Sequence, residues 1–208
     1  HLEQGSLYQQ IDFNHEVERP EMQQVRQTPL ALLRCPSDQG TGTFTILNQQ
    51  NEEVCTGSTT SYAACFGSYG LMNTDPDLGN GLFQRNSAIK LDDIKDGTST
   101  TIAIGERGAM FAKTPWVGVI TDGTVRTTPG APVYTSTIEG APAMALARMG
   151  NRTLNSEWSE PYDFFSPHPQ IVYFLFADGS VRGLSASTDH ALLHALATRI
   201  GDEVVEGP

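Results

Sequence analysis

Apolar positions fall in short bursts along this chain, and the longest burst lies near its end. Residues 171–176, IVYFLF, form an unbroken run of aromatic and branched residues. That is the pattern of a strand buried on both faces, or nearly so. Asp178-Gly179 follows, a pair that tolerates the positive φ of a tight hairpin turn. Ser180-Val181-Arg182 then begins a return arm of alternating character, so the pattern predicts a central β-hairpin. Beyond it, Leu192, Leu193, Leu196 and Ile200 recur at helical spacing. They predict a helix over 189–200, with Ser187, Thr188 or Asp189 as its cap and Gly201 as its stop.

Earlier elements are shorter. Leu7 and Ile11 are spaced as on the apolar side of a helix, so residues 1–13 read as the amphipathic end of one. A short helix is predicted over 21–27 and a strand over 28–35, where Pro36 disfavours the α conformation at Cys35. An edge strand is predicted at 44–47 and a second strand over 59–66, with a long loop over 67–81. Thr100–Gly105 (TTIAIG) is β-branched and predicts a strand, with Glu106-Arg107 at its end. A further strand is expected within 110–120, and Asp122-Gly123 as the turn of a second hairpin returning over 125–127. Residues 141–149 read as a short helix. Residues 151–169 are irregular and rich in aromatic groups, Trp158 and Tyr162 among them.

Composition narrows the class. A length of 208 residues fits a single globular domain over 1–208. Charged residues make up only 18% and glycines number 20, which suits a loop-rich extracellular β or α+β protein better than a cytosolic helical one. A net charge of −11 argues against nucleic acid, whose phosphates it would repel. No run of 18 apolar residues exists to span a bilayer. Cys35, Cys55 and Cys65 are odd in number, so in an oxidising compartment at least one stays unpaired; reduced buried thiols are the plainer reading. Their spacing holds no C-x2-C pair, which disfavours zinc.

The H-x9-DG spacing from His168 to Asp178-Gly179, within HPQIVYFLFADGSVRGL, resembles the C-terminal signature of a bacterial prepilin-like family, the prepilin-type processing-associated H-x9-DG proteins, also filed under a solute-binding heading. LEQGSLYQQIDF (2–13), RCPSD (34–38), SYAACFG (61–67) and LDDIKDGTSTTIAIGER (91–107) resemble the family's other blocks. One departure is the Gln170-Ile171 that follows His168-Pro169 where the family has a glycine pair. The resemblance implies a pilin-like α+β head: an N-terminal helix, here represented by its end, packed on an antiparallel sheet, with long loops and a short C-terminal helix. It implies that a leader and a long apolar helix precede His1, anchoring the protein in the inner membrane before assembly into a periplasmic or cell-surface filament. Its partners would then be copies of itself or related pilins, with membrane contact through that helix alone. The matching blocks also favour a Cys35–Cys65 disulfide, with Cys35–Cys55 as the runner-up.

Candidate chemistry is sparse. His168, Asp178, Gly179, Glu106 and Arg107 read as motif residues that build structure. His168 and Asp178 lie at opposite ends of one arm, roughly 33 Å of extended chain apart, and cannot meet. Glu106, at the end of an apolar strand, needs a partner, His168 or Arg182. The one cofactor to consider is Ca2+, through Asp92, Asp93 and Asp96 or through Asn73, Asp75 and Asp77; solvated turn carboxylates are the plainer alternative. His190 and His194 stand four apart on the C-terminal helix, a weak metal signal. No nucleophile elbow, H-E-x-x-H or phosphate-loop pattern is present. The resemblance, with no catalytic pattern beside it, implies a non-enzymatic structural subunit of a pilus-like or pseudopilus-like filament. The alternative is a solute- or carbohydrate-binding module using Trp158 and Tyr162 as a stacking platform.

Overall fold

The apolar run at 171–176 does form a strand with a partner on each side. A computed structural model describes residues 3–70, 77–85, 87–134 and 136–201. Along them run α1 (Gly5–Tyr8), α2 (Gln23–Gln27), β1 (Thr43–Leu47), β2 (Glu53–Ser58), β3 (Tyr62–Gly67), β4 (Ile102–Glu106), β5 (Ile120–Arg126), β6 (Ile138–Ala143), β7 (Leu146–Arg148), β8 (Ile171–Phe176), β9 (Val181–Ser185) and α3 (His190–Ala197). The main sheet has the order β7-β3-β4-β8-β9, and β1-β2 and β5-β6 form separate two-stranded ribbons. Among the described strands every ladder is antiparallel except β3 with β7. The fold is α+β with mostly antiparallel sheets, few short helices and a short C-terminal helix, as the sequence predicts.

The β8–β9 hairpin turns at Asp178-Gly179. Gly179 sits at φ +86°, a conformation closed to most side chains, while the Asp178 carboxylate accepts from the Ser180 N–H and hydroxyl. Burial along β8 alternates. Val172, Phe174 and Phe176 are buried, whereas Tyr173 is 44% exposed, so the expectation of burial on both faces is corrected. The buried face meets α3, whose Leu193, Leu196 and Ala197 close the main core with Ile102, Phe164 and Leu184. Asp189 caps α3 by accepting from the Ala191 and Leu192 N–H groups. Among the described residues no helix packs comparably on the other face of the sheet.

The N-terminal segment makes its own cluster. Helix α1 is one turn long, far shorter than residues 1–13, in keeping with the marginal stability of short helices. Its Leu7 packs with Met22, Val25 and Leu30, with Trp116 and Leu33 alongside. The buried Arg26 guanidinium donates to the carbonyls of Val17, Arg19 and Thr56, tying this cluster to β2.

Four local predictions are overturned. Residues 28–35 form no strand: a 3-10 turn at Ala31–Leu33 lies between Pro29 and Pro36, neither of which can donate to a ladder. Residues 110–119 form turns and isolated bridges, and only Ile120 joins a strand. Asp122-Gly123 is no hairpin turn; it lies inside β5, where a Cβ on Gly123 would stand 2.4 Å from Ile46 Cγ2. That glycine lets β5 cross β1 closely. Residues 141–149 are strands β6 and β7 instead of a helix, since Pro142 breaks helical bonding. Strand β2, at 53–58, was not predicted at all.

Candidate functional site

Strand β4 ends at Glu106, and the loop entering β8 brings His168 to the same place. Glu106 is buried, and its Oε2 accepts from the Ser166 hydroxyl and from the Tyr173 N–H, both at 2.8 Å. Its Oε1 lies 3.7 Å from His168 Nε2. The sequence-based choice for the Glu106 partner was His168 or Arg182, and His168 is the one found. Arg182 instead lies over the Phe176 ring, 4.5 Å from its centroid, and 3.6 Å from Asp178 Oδ2.

A third group joins them. Cys35 Sγ stands 3.9 Å from the same nitrogen, His168 Nε2. One donor atom from each of Cys35, Glu106 and His168 lies within 4.8 Å of the others. Asn155 orients the histidine loop: it sits at φ +57°, donates to the His168 carbonyl at 2.7 Å and accepts from the Ser166 N–H at 2.7 Å. The His168 N–H in turn donates to Ser166 Oγ, and the ring meets Tyr173 edge-on.

The cluster lines a cleft of about 560 Å³ on the sheet face away from α3, with Leu33, Tyr62, Ile104, Tyr173, Leu175 and Val181 as its apolar walls. Burial, and then the neighbouring Cys35, Glu106 and Asp38, push up the pKa of the Tyr62 phenol.

Behind it stands a polar staple. The buried Asp38 accepts from Ser61 Oγ at 2.7 Å, Ala109 N at 2.6 Å, Met110 N at 3.0 Å and Gly40 N at 3.2 Å. Arg107 points away from Glu106, as strand alternation requires. Its fully buried guanidinium donates to the Leu146 and Met144 carbonyls and to Thr114 Oγ1. Burial lowers its pKa to about 10, which leaves it charged at neutral pH.

The other candidates go elsewhere. The Cys35–Cys65 disulfide is corrected: Cys35, Cys55 and Cys65 are all free thiols. Cys65 lies in the main core, where its Sγ faces the Ala197 carbonyl, and Cys55 lies in a cluster with Ile46 and Ile120, so the runner-up pairing with Cys35 is not formed either. Asp178 and Gly179 sit at the far turn, apart from His168; the nine intervening residues are the turn that enters β8, the β8 arm and Ala177 at the start of the hairpin turn.

Among the described residues the acidic candidates do not converge. Asp93 accepts from the Lys90 N–H, Asp96 from Thr198 Oγ1 and the Gly201 N–H, and Asp77 pairs with Arg85. The Asp92 carbonyl accepts from Lys95. Asn73 and Asp75 lie outside the described residues. Tyr162 is buried, with its hydroxyl on the Pro142 carbonyl, whereas Trp158 is 59% exposed and packs on Tyr134 with ring centres 4.6 Å apart. A Trp158–Tyr162 stacking platform is therefore not formed. His190 and His194 both direct Nε2 at the Gly150 carbonyl.

Sequence reading missed Cys35, Asp38, Asn155 and Ser166 as members of this site. Cys35 and Asp38 lie within the quoted RCPSD block, which was their one signal; nothing local marks Asn155 or Ser166.

Comparison with curated proteins and with solved structures finds no match. The family described as "Protein of unknown function (DUF1559)", labelled SBP_bac_10, matches residues 1–191. That match spans nearly the whole chain and takes in the His168–Asp178 spacing, so the chain belongs to the DUF1559 family.

Proposed function

We propose that this chain is the head of a pilus-like or pseudopilus-like filament subunit, acting by assembly and not by catalysis. The observation that carries this reading is an apolar sheet face left open among the described residues. Helix α3 covers one face, while Ile104, Leu175 and Val181 stand in a cross-strand row on the other, with Val181 66% exposed. Leu33 links this surface to a second apolar cleft of about 550 Å³ around Leu7, Tyr8, Ile11 and Trp116. Apolar surface of this extent on an otherwise acidic protein calls for a covering element, and a long apolar helix of the filament core has the right chemistry. In this reading the protein is extracytoplasmic and held at the inner membrane before assembly, and its partners are copies of itself or related subunits. Among the described residues no helix is long and apolar enough to cross a membrane, so the anchor would be a segment outside them. Electron microscopy of cells expressing the complete gene should show filaments that carry this chain. Leu175→Glu should abolish them while the isolated head keeps its melting temperature within a few degrees. Cells with normal processing by the prepilin peptidase and no filament would overturn the proposal.

A second reading, the solute-binding module, draws on the exposed Tyr134–Trp158 pair and on the family's label. Carbohydrate titration followed by tryptophan fluorescence distinguishes it, since stacking on Trp158 would shift its emission.

A further inference from the structure

We propose that Cys35, Glu106 and His168 form a binding site for a borderline divalent transition metal, with Zn2+ as the ion. This site does not depend on the filament reading. Its first support is convergence on one point. Cys35 Sγ and Glu106 Oε1 both face the same nitrogen, His168 Nε2, at 3.9 and 3.7 Å. A nucleophile–histidine–acid relay would use the two ring nitrogens separately, so this arrangement is no relay. The oxygen-to-nitrogen distance is also too long for a hydrogen bond.

Metal geometry accounts for these spacings. With Zn–S near 2.3 Å and Zn–N or Zn–O near 2.0–2.1 Å, tetrahedral angles place sulfur about 3.6 Å from nitrogen, and nitrogen about 3.4 Å from oxygen. Those two gaps close with shifts of about 0.3 Å each, while sulfur and oxygen, within 4.8 Å of one another, would draw together towards about 3.6 Å on binding. Charge is balanced as well: a thiolate, a carboxylate and a neutral imidazole together neutralise a divalent ion. The donor set of sulfur, nitrogen and oxygen suits Zn2+ and is wrong for Ca2+, which takes oxygen ligands.

The surroundings are built for ligation. The second carboxylate oxygen of Glu106 is held by Ser166 Oγ and the Tyr173 N–H, and Asn155 fixes the loop on which His168 rides. Such outer partners orient metal ligands and raise affinity. All three ligands line the cleft, from which a water or a carboxylate of a partner would complete the coordination. Binding would clip together segments 71 and 62 residues apart in sequence, as counted from Cys35 to Glu106 and from Glu106 to His168.

The test uses the isolated folded chain after treatment with a chelator. Titration with Zn2+ against a chromophoric competitor should give one equivalent per chain. Substitution with Co2+ should give tetrahedral visible bands and a thiolate-to-cobalt charge-transfer band. Saturating Zn2+ at about 100 times Kd should raise Tm by about 5–10 °C. Cys35→Ser and His168→Asn should each lose the charge-transfer band or weaken binding at least 10-fold, and Ser166→Ala should weaken it about 10-fold. His190→Ala combined with His194→Ala should change nothing. Should Cys35→Ser fail to fold, alkylation decides in the wild type: bound Zn2+ should protect Cys35 while Cys55 and Cys65 serve as internal references on the same digest. Failure of the wild type to take up Zn2+, a cobalt spectrum without the thiolate band, or unchanged binding in folded Cys35→Ser would overturn the proposal.

Discussion

Asp38 shows how much one side chain can organise. It joins the loop after Cys35 to Ser61 before β3 and to the turn after Arg107, through four donors. Removing it strands the buried Ala109 N–H in an apolar setting. Asp38→Ala should therefore cost about 2–4 kcal/mol, read as a lower urea midpoint with unchanged slope. Asp38→Asn should cost less, because one carbonyl oxygen remains to accept. Cys65 is the opposite case, a thiol defined by isolation. Full burial raises its pKa from the ordinary 9.0 to about 12. The unfolded chain thus loses this proton first. The stability that follows is complete below pH 9 and falls as pH rises from about 9 towards 12. Native alkylation at pH 8.5 should leave Cys65 unmodified while unfolded chain reacts, and Cys65→Ala should flatten the alkaline fall in denaturation free energy. Reaction of Cys65 at the same rate in folded and unfolded chain would refute the assignment.

Among the elements, α3 and the β8–β9 hairpin carry the main core from opposite sides. Leu193 is fully buried against the sheet, whereas Leu192, one position earlier, is only partly so. Leu193→Ala should cost about 2–5 kcal/mol and Leu192→Ala clearly less, a contrast that thermal melts of the two variants would reveal. The hairpin depends on its turn. Gly179 lies at φ +86° with open space around it, so a side chain there meets no neighbour and the penalty is conformational alone. Gly179→Val should cost about 1–2 kcal/mol, visible as a lower Tm without change in the far-ultraviolet spectrum.

For the molecule as a whole, charge and apolar surface pull in opposite directions. A net charge of −11 makes like heads repel over a Debye length of ~8 Å at physiological ionic strength. The apolar patches around Leu33 are clefts, and Tyr8 and Phe13 pair with each other at 5.3 Å. The isolated head should therefore be monomeric at micromolar concentration in sedimentation equilibrium, with association appearing only as salt is raised. A dimer that survives dilution to nanomolar would show that the head carries its own partner surface and would displace the filament reading.

What the sequence by itself determined were the features whose causes are local. The β8–β9 hairpin was legible because an apolar run, a DG pair and an alternating arm follow one another within 171–182. Helix α3 was legible from its leucine spacing and Asp189, and β4 from its branched residues. The Glu106–His168 contact was half legible, since a carboxylate ending a buried strand must find a donor. Only the tertiary structure decided the rest. Whether a DG pair turns or runs straight depends on its neighbours: Asp178-Gly179 faces open space, whereas Gly123 is pressed against Ile46. Residues 141–149 became strands because β3 and β5 offered edges and Arg107 offered a donor to the Met144 and Leu146 carbonyls. Cys35 came to His168, and not to Cys65, because the Asp38 staple directs its loop to the open end of β4, while Cys65 points into the core. Three ligand-bearing residues from distant segments meet only after the sheet has formed, and no spacing along the chain records such a meeting.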